Sequence, residues 1–153
     1  MSHTPLTQTS WLRIILSSHE QLLGTPLVPA GLDENAALHW LDQEADFCVL
    51  AHEASADPRF VYANAATLRC FGYSADEFIG LPSRLSAEAP NREERDALLQ
   101  RVQGDGFASG YRGLRIAKDG RRFWIEDVTV WNLLDAAGAR IGQAATYRRI
   151  TPA

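Results

Sequence analysis

Near the start of the chain, Trp11, Leu12, Ile14, Ile15, Leu22 and Leu23 recur close to helical spacing, with Ser10 placed to cap the start and Gly24 to end it. Residues 24–31, with Pro26, Pro29 and two glycines, read as a connector. Asp33 then caps a second amphipathic helix carrying Ala36, Ala37, Trp40 and Leu41 on one face. From Phe47 the period shortens. Phe47–Ala51 reads as a buried strand, and Phe60–Ala63 as its hairpin partner across a turn at 54–58. Asn64 caps a short helix that stops at Gly72, and Ser74–Glu77 is a capping box for another that stops near residues 80–82. Asn91–Glu94 repeats that device and opens a helix through Leu98, Leu99 and Val102 to Gly104. Strands follow at Tyr111–Ala117, Phe123–Leu133 and Arg140–Tyr147, joined by turns at 118–120 and 135–138.

Strands joined in sequence by tight turns are antiparallel, and helices grouped between them cover one face of the sheet. The expected fold is α+β, a five-stranded antiparallel sheet with short helices on one face. Residues 1–46 form an N-terminal helical cap, since about 45 residues cannot bury a core alone. Residues 47–153 form the domain that the cap covers.

Composition changes this picture little. The 153 residues suit one domain, and 46% hydrophobic residues can build its core. A net charge of −4 does not match nucleic acid, and Lys118, Arg121 and Arg122 beside a turn read as solvated surface. Cys48 and Cys70 lack CxxC spacing and read as small apolar residues in a reducing compartment. Residues 1–10 carry no leader pattern, and no apolar run approaches the ~20 residues that span a bilayer. The expectation is a cytoplasmic protein without membrane or nucleic-acid partners.

Phe60-Val61-Tyr62-Ala63-Asn64-Ala65-Ala66, the run Phe71-Gly72-Tyr73-Ser74 through Gly80, and Lys118-Asp119-Gly120-Arg121-Arg122-Phe123-Trp124 resemble the PAS domain. A narrower likeness lies in the run Gly80-Leu81-Pro82-Ser83-Arg84, in Arg92-Glu93-Glu94-Arg95, Tyr111-Arg112-Gly113 and Val130-Trp131-Asn132-Leu133, and in Gly142-Gln143-Ala144-Ala145-Thr146. These are similar to the MEKHLA domain, a PAS relative, over nearly the whole chain. The hexapeptide that names that domain is not present. The resemblance implies a sensory or interaction domain whose first and last strands, Phe47–Ala51 and Arg140–Tyr147, are neighbours.

PAS domains often hold flavin, haem or a small molecule. Light-sensing relatives place a reactive Cys where this chain has Ser83, followed by Arg84, and ring-binding amides where it has Arg115, Ile125 and Ala144. Haem-binding relatives supply a His from the long helix, which has none here, and His39 and His52 share no metal spacing. His52, near a strand end, reads as a surface or capping residue. No cofactor and no metal are expected.

Strict alternation on the penultimate strand puts either Phe123, Ile125, Asp127, Thr129 and Trp131, or Trp124, Glu126, Val128 and Val130, toward the helices. The PAS pattern implies the first set. The apolar second face then needs cover near Val128 and Val130, from Trp11, Ile14 and Ile15 of the same chain or from a second copy in a homodimer. Arg115 and Asp127 would lie inside, and Gly142, Ala144 and Thr146 leave room opposite them. Two readings stay open. In one, Arg84 and Arg115 bind a polar or anionic small molecule with help from Asp127, Thr129 and Tyr111, beside Ser83. In the other, Arg115 and Asp127 form an internal ion pair in a filled core. Ser83 and Ser86 stand in no nucleophile elbow, and the adjacent Glu126 and Asp127 point to opposite faces, so no enzyme is expected. The expected function is a stand-alone sensory or small-molecule-binding protein acting in trans. The alternative is a ligand-free dimerisation or protein-interaction module.

Overall fold

The computed structural model describes residues 6–153, apart from the side chains of residues 89–91. Its first helix starts earlier than the apolar pattern marks. Thr7, not Ser10, is the cap: its hydroxyl accepts from the Ser10 N–H at 3.1 Å, and α1 runs Gln8–Leu23 to a left-handed Gly24. Asp33 caps α2 (Glu34–His39), which winds on as one wider turn, Trp40–Glu44. Strands β1 (Cys48–Glu53) and β2 (Phe60–Ala63) form the hairpin. Helix α3 (Ala65–Phe71) lies between Asn64 and Gly72, and α4 (Ala75–Phe78) carries the expected Ser74–Glu77 capping box.

A 3-10 turn at Ser83–Ser86 leads into α5 (Ala89–Asp105). This helix begins before the box read at residues 91–94, with proline in its first turn, where a missing N–H costs nothing. Then come β3 (Phe107–Ile116), β4 (Arg122–Leu134), β5 (Arg140–Tyr147) and a sixth strand, β6 (Arg149–Pro152). The sheet order is β2-β1-β5-β4-β3, antiparallel throughout, so the first and fifth strands are neighbours as the resemblance implies. β6 pairs with the first half of β4, beyond the reach of β5.

Asn64 ties the hairpin to both helical layers. It is fully buried, and its side-chain oxygen accepts from the N–H groups of Val49 and Thr67 and from the Thr67 hydroxyl. Its amide nitrogen donates to the carbonyls of Leu41 and Phe47 at 3.0 and 2.9 Å.

The sheet carries a core on each face. Helices α3, α4 and α5 pack Phe71, Phe78, Leu98 and Val102 onto Leu50, Phe60, Phe123, Ile125, Val128 and Val130. On the opposite face α1 lays Trp11, Leu12 and Ile15 over Trp131, Leu133, Ala144 and Val49. The same chain therefore covers the outer face, but at Trp131 and Leu133 rather than at Val128 and Val130.

One residue causes that difference. Tyr111 pairs with Val128 and Gly113 with Ile125, so β4 carries an extra residue between them. Asp127 lies in this bulge at φ 53° and is the only non-glycine residue with positive φ among the described residues. Aspartate tolerates that conformation better than most side chains. Ile125 thus faces the helices as the PAS pattern implies, while the expectation for 127 and 129 fails. Past the bulge the parity reverses, turning Val128 and Val130 inward and Trp131 outward. A second bulge, at Ser109–Gly110 of β3, lies between the Ala108–Val130 and Tyr111–Val128 pairs. The small residues of β5 are corrected likewise. Ala144 packs in the outer core, and a Cβ at Gly142 would meet the His52 carbonyl oxygen at 2.4 Å. Gly142 thus makes room for the neighbouring strand, and the small Ala144 side chain for α1.

Candidate functional site

A cavity of about 60 Å³ lies between α5 and the inner sheet face. Much of its wall is apolar, from Leu50, Leu98, Ile125, Val128 and Val130. Its charge comes from two arginines on different elements. Arg95 lies on the α5 stripe that also carries Leu98, Leu99 and Val102, so helical spacing turns it inward. It is 7% exposed, donates to the Ser83 hydroxyl at 2.5 Å, and reaches the exposed Asp96 carboxylate at 3.3 Å. Burial and the nearby charge of Arg115 lower its pKa to about 10, so it stays protonated at neutral pH.

Arg115 is 8% exposed and projects from β3 on the same face as Tyr111 and Gly113. Its guanidinium donates to the Leu114 carbonyl at 3.0 Å and to the Tyr111 hydroxyl at 3.4 Å. Gly113 makes this possible, since a Cβ there would stand 2.5 Å from the Tyr111 oxygen and 2.7 Å from Arg115 Nη1. Among the described residues, no carboxylate lines the cavity. Two buried cations thus share a small space with no buried counter-ion.

His52, on β1, faces them. Burial first, and Arg95 in addition, depress its pKa to about 4, so the ring is neutral. Its Nδ1 lies 3.1 Å from the Glu53 carbonyl oxygen, which can only accept, so Nδ1 carries the proton. Nε2 is then a bare acceptor, buried and without a partner. Gln143 of β5 is held by its donation to the Leu99 carbonyl at 2.9 Å and to the Asn132 side chain at 3.2 Å.

Of the residues expected at a site, Arg115 and Tyr111 line the cavity and Ser83 stands behind Arg95. Arg84 is exposed and pairs with Asp57 at 3.1 Å. Asp127 and Thr129 border a groove on the other side of the sheet, beside Pro26, Leu27 and Phe47. The internal ion pair of Arg115 with Asp127 therefore does not form. Arg95, His52 and Gln143 were missed. The helical stripe of Arg95 was the available signal for it. His52, read as a surface or capping residue, is 8% exposed and turned inward.

The residues do not fit a flavin. Ser83 offers no thiol, Ile125 offers no amide, and the space is well below the ~300 Å³ at which organic-ligand pockets begin. Among the described residues no group of three His, Cys, Asp or Glu side chains could hold a metal ion, and no helix is long and apolar enough to cross a membrane.

Solved structures share this architecture. The PAS domain of a protein from Colwellia psychrerythraea superimposes with a TM-score of 0.65 at 19% identity, covering 73% of this chain and 92% of that one. A Light-Oxygen-Voltage domain studied with a flavin analogue gives a TM-score of 0.56 at 18% identity, over 69% of this chain and 76% of that one. An RNA-binding Light-Oxygen-Voltage receptor gives 0.64 at 23% identity, over 80% of this chain but only 34% of the receptor. At such identities the likeness establishes the fold alone. A search of curated proteins finds no match. The model of the MEKHLA domain matches residues 9–152, and on that match, over a PAS fold, the chain belongs to the MEKHLA domain family.

Proposed function

We propose that this chain is a sensory module that binds a small polar or anionic molecule in the cavity between α5 and the sheet, and acts on a separate partner. One observation carries the reading: Arg95 and Arg115 are buried together, and among the described residues no carboxylate lines their cavity. Taking a cation out of water costs several kcal/mol, and structural arginines normally recover it through a buried counter-ion. Here the protein supplies only hydroxyls, one backbone carbonyl and one exposed carboxylate, which leaves the balance to a ligand. The site reads as binding rather than catalytic, because among the described residues His52 Nε2, its candidate base, has no hydrogen-bond partner to activate.

Native beside denaturing mass spectrometry, with a thermal-shift panel of small neutral, cationic and anionic compounds, tests this reading. The expected result is a small mass lost on denaturation, or a raised Tm with one class. If no class shifts the Tm and no mass is carried, the chain is a ligand-free interaction module instead.

A further inference from the structure

Resting on that reading, we infer that the cavity takes a short hydroxycarboxylate, its carboxylate between Arg95 and Arg115 and its hydroxyl on His52 Nε2. Three features of the cavity select this class. The first is charge. A guanidinium has five N–H donors, and among the described residues each arginine uses two, on the partners given above. The Tyr111 hydroxyl accepts from Arg115 and keeps its own hydrogen to donate. The cationic end thus presents N–H and O–H groups and, among the described residues, no carboxylate in the cavity lining, the pattern that binds a planar carboxylate.

The second feature is the opposite polarity of His52. A neutral Nε2 with a buried lone pair repels an anionic oxygen and needs a donor hydrogen. A simple carboxylate such as acetate leaves that nitrogen unpaired, whereas a hydroxyl on the neighbouring carbon satisfies it. An ammonium could also donate there, but it would add a third positive charge beside the two arginines. The third feature is the wall. Leu50, Leu98, Ile125, Val128 and Val130 favour carbon over further oxygens, which disfavours the tetrahedral inorganic anions. Space limits the carbon skeleton to a few atoms, because about 60 Å³ is far below the ~300 Å³ of ordinary organic-ligand pockets.

Titration calorimetry of the whole protein with glycolate, lactate, acetate, ethylene glycol and inorganic phosphate tests the inference. Glycolate or lactate should bind about tenfold tighter than acetate, one hydrogen bond's worth, and ethylene glycol and phosphate should bind weakly or not at all. His52→Leu should close the gap between glycolate and acetate. Arg115→Gln should weaken both about tenfold or more, with circular dichroism confirming that each variant is folded. Acetate binding as tightly as glycolate in the unmodified protein overturns the hydroxyl contact, whatever the variants do. Preference for phosphate, or for a neutral or cationic compound in the thermal-shift panel, overturns the hydroxycarboxylate while leaving a ligand-binding cavity. Silence from every class removes the ligand-binding reading itself.

Discussion

Asp127 occupies a backbone conformation that L side chains rarely adopt, at a cost of ~1 kcal/mol or more that glycine would avoid. Asp127→Gly is expected to leave stability unchanged or raise it by up to ~1 kcal/mol, while Asp127→Val, β-branched at positive φ, should lose ~2 kcal/mol. Asp127→Asn keeps both the shape and the tolerance, so it should stay within ~0.5 kcal/mol. Urea melts of the three variants check the order. His52 makes a prediction in pH. Its folded pKa of about 4 lies below the ordinary 6.5, so above pH 6.5 it is neutral in both states and adds no pH dependence. As pH falls from about 6.5 to about 4, the unfolded chain takes up a proton that the folded chain refuses. Stability should drop by ~1.4 kcal/mol per pH unit, ~3 kcal/mol in all. Melts at pH 7 and 4.5 should show the drop in the parent protein and a flatter profile in His52→Leu.

Asn64 shows how one residue fixes the placing of several elements. Asn64→Ala strands buried carbonyl and N–H groups from three segments at once and should cost ~3 kcal/mol or more. Asn64→Asp, nearly isosteric, should be no milder, because it turns an oxygen toward the Leu41 and Phe47 carbonyls. Chemical denaturation of both variants is the check. Its role as a helix cap was legible because capping is local. Its three long-range bonds were not, since they depend on segments brought together from 15 to 23 residues away. Element order, most turns and the pairing of the first and fifth strands could be read from periodicity and the family resemblance. The bulge could not, because an extra residue in a strand leaves no mark in polarity when polar and apolar side chains stand on both sides of it. That one slip reversed the reading of Val128, Val130 and Trp131 and put Asp127 on the wrong face. Arg95 was passed over for a different reason: arginine on a helix is usually solvated, and here it shares the buried stripe.

The molecule as a whole is one sheet with two cores, and the outer one depends on α1. Trp131 and Leu133 are fully buried beneath Trp11, Leu12 and Ile15. Deleting residues 1–24 should expose that surface and cause aggregation or a large loss of stability, since apolar burial is worth ~25 cal/mol per Å². Trp11→Ala alone should lose ~3 kcal/mol. Light scattering and urea melts measure both, and a truncated chain as monodisperse and stable as its parent would contradict this dependence. The sheet must also avoid recruiting strands from other molecules. Its β3 margin is open, ten residues long, and carries the Ser109–Gly110 bulge near its start. A strand from a second copy could follow that margin only until the spacing of its N–H and C=O groups slipped out of step. The same irregularity that accommodates the shift in β4 therefore makes β3 a poorer template for ribbon growth than a regular edge strand of its length.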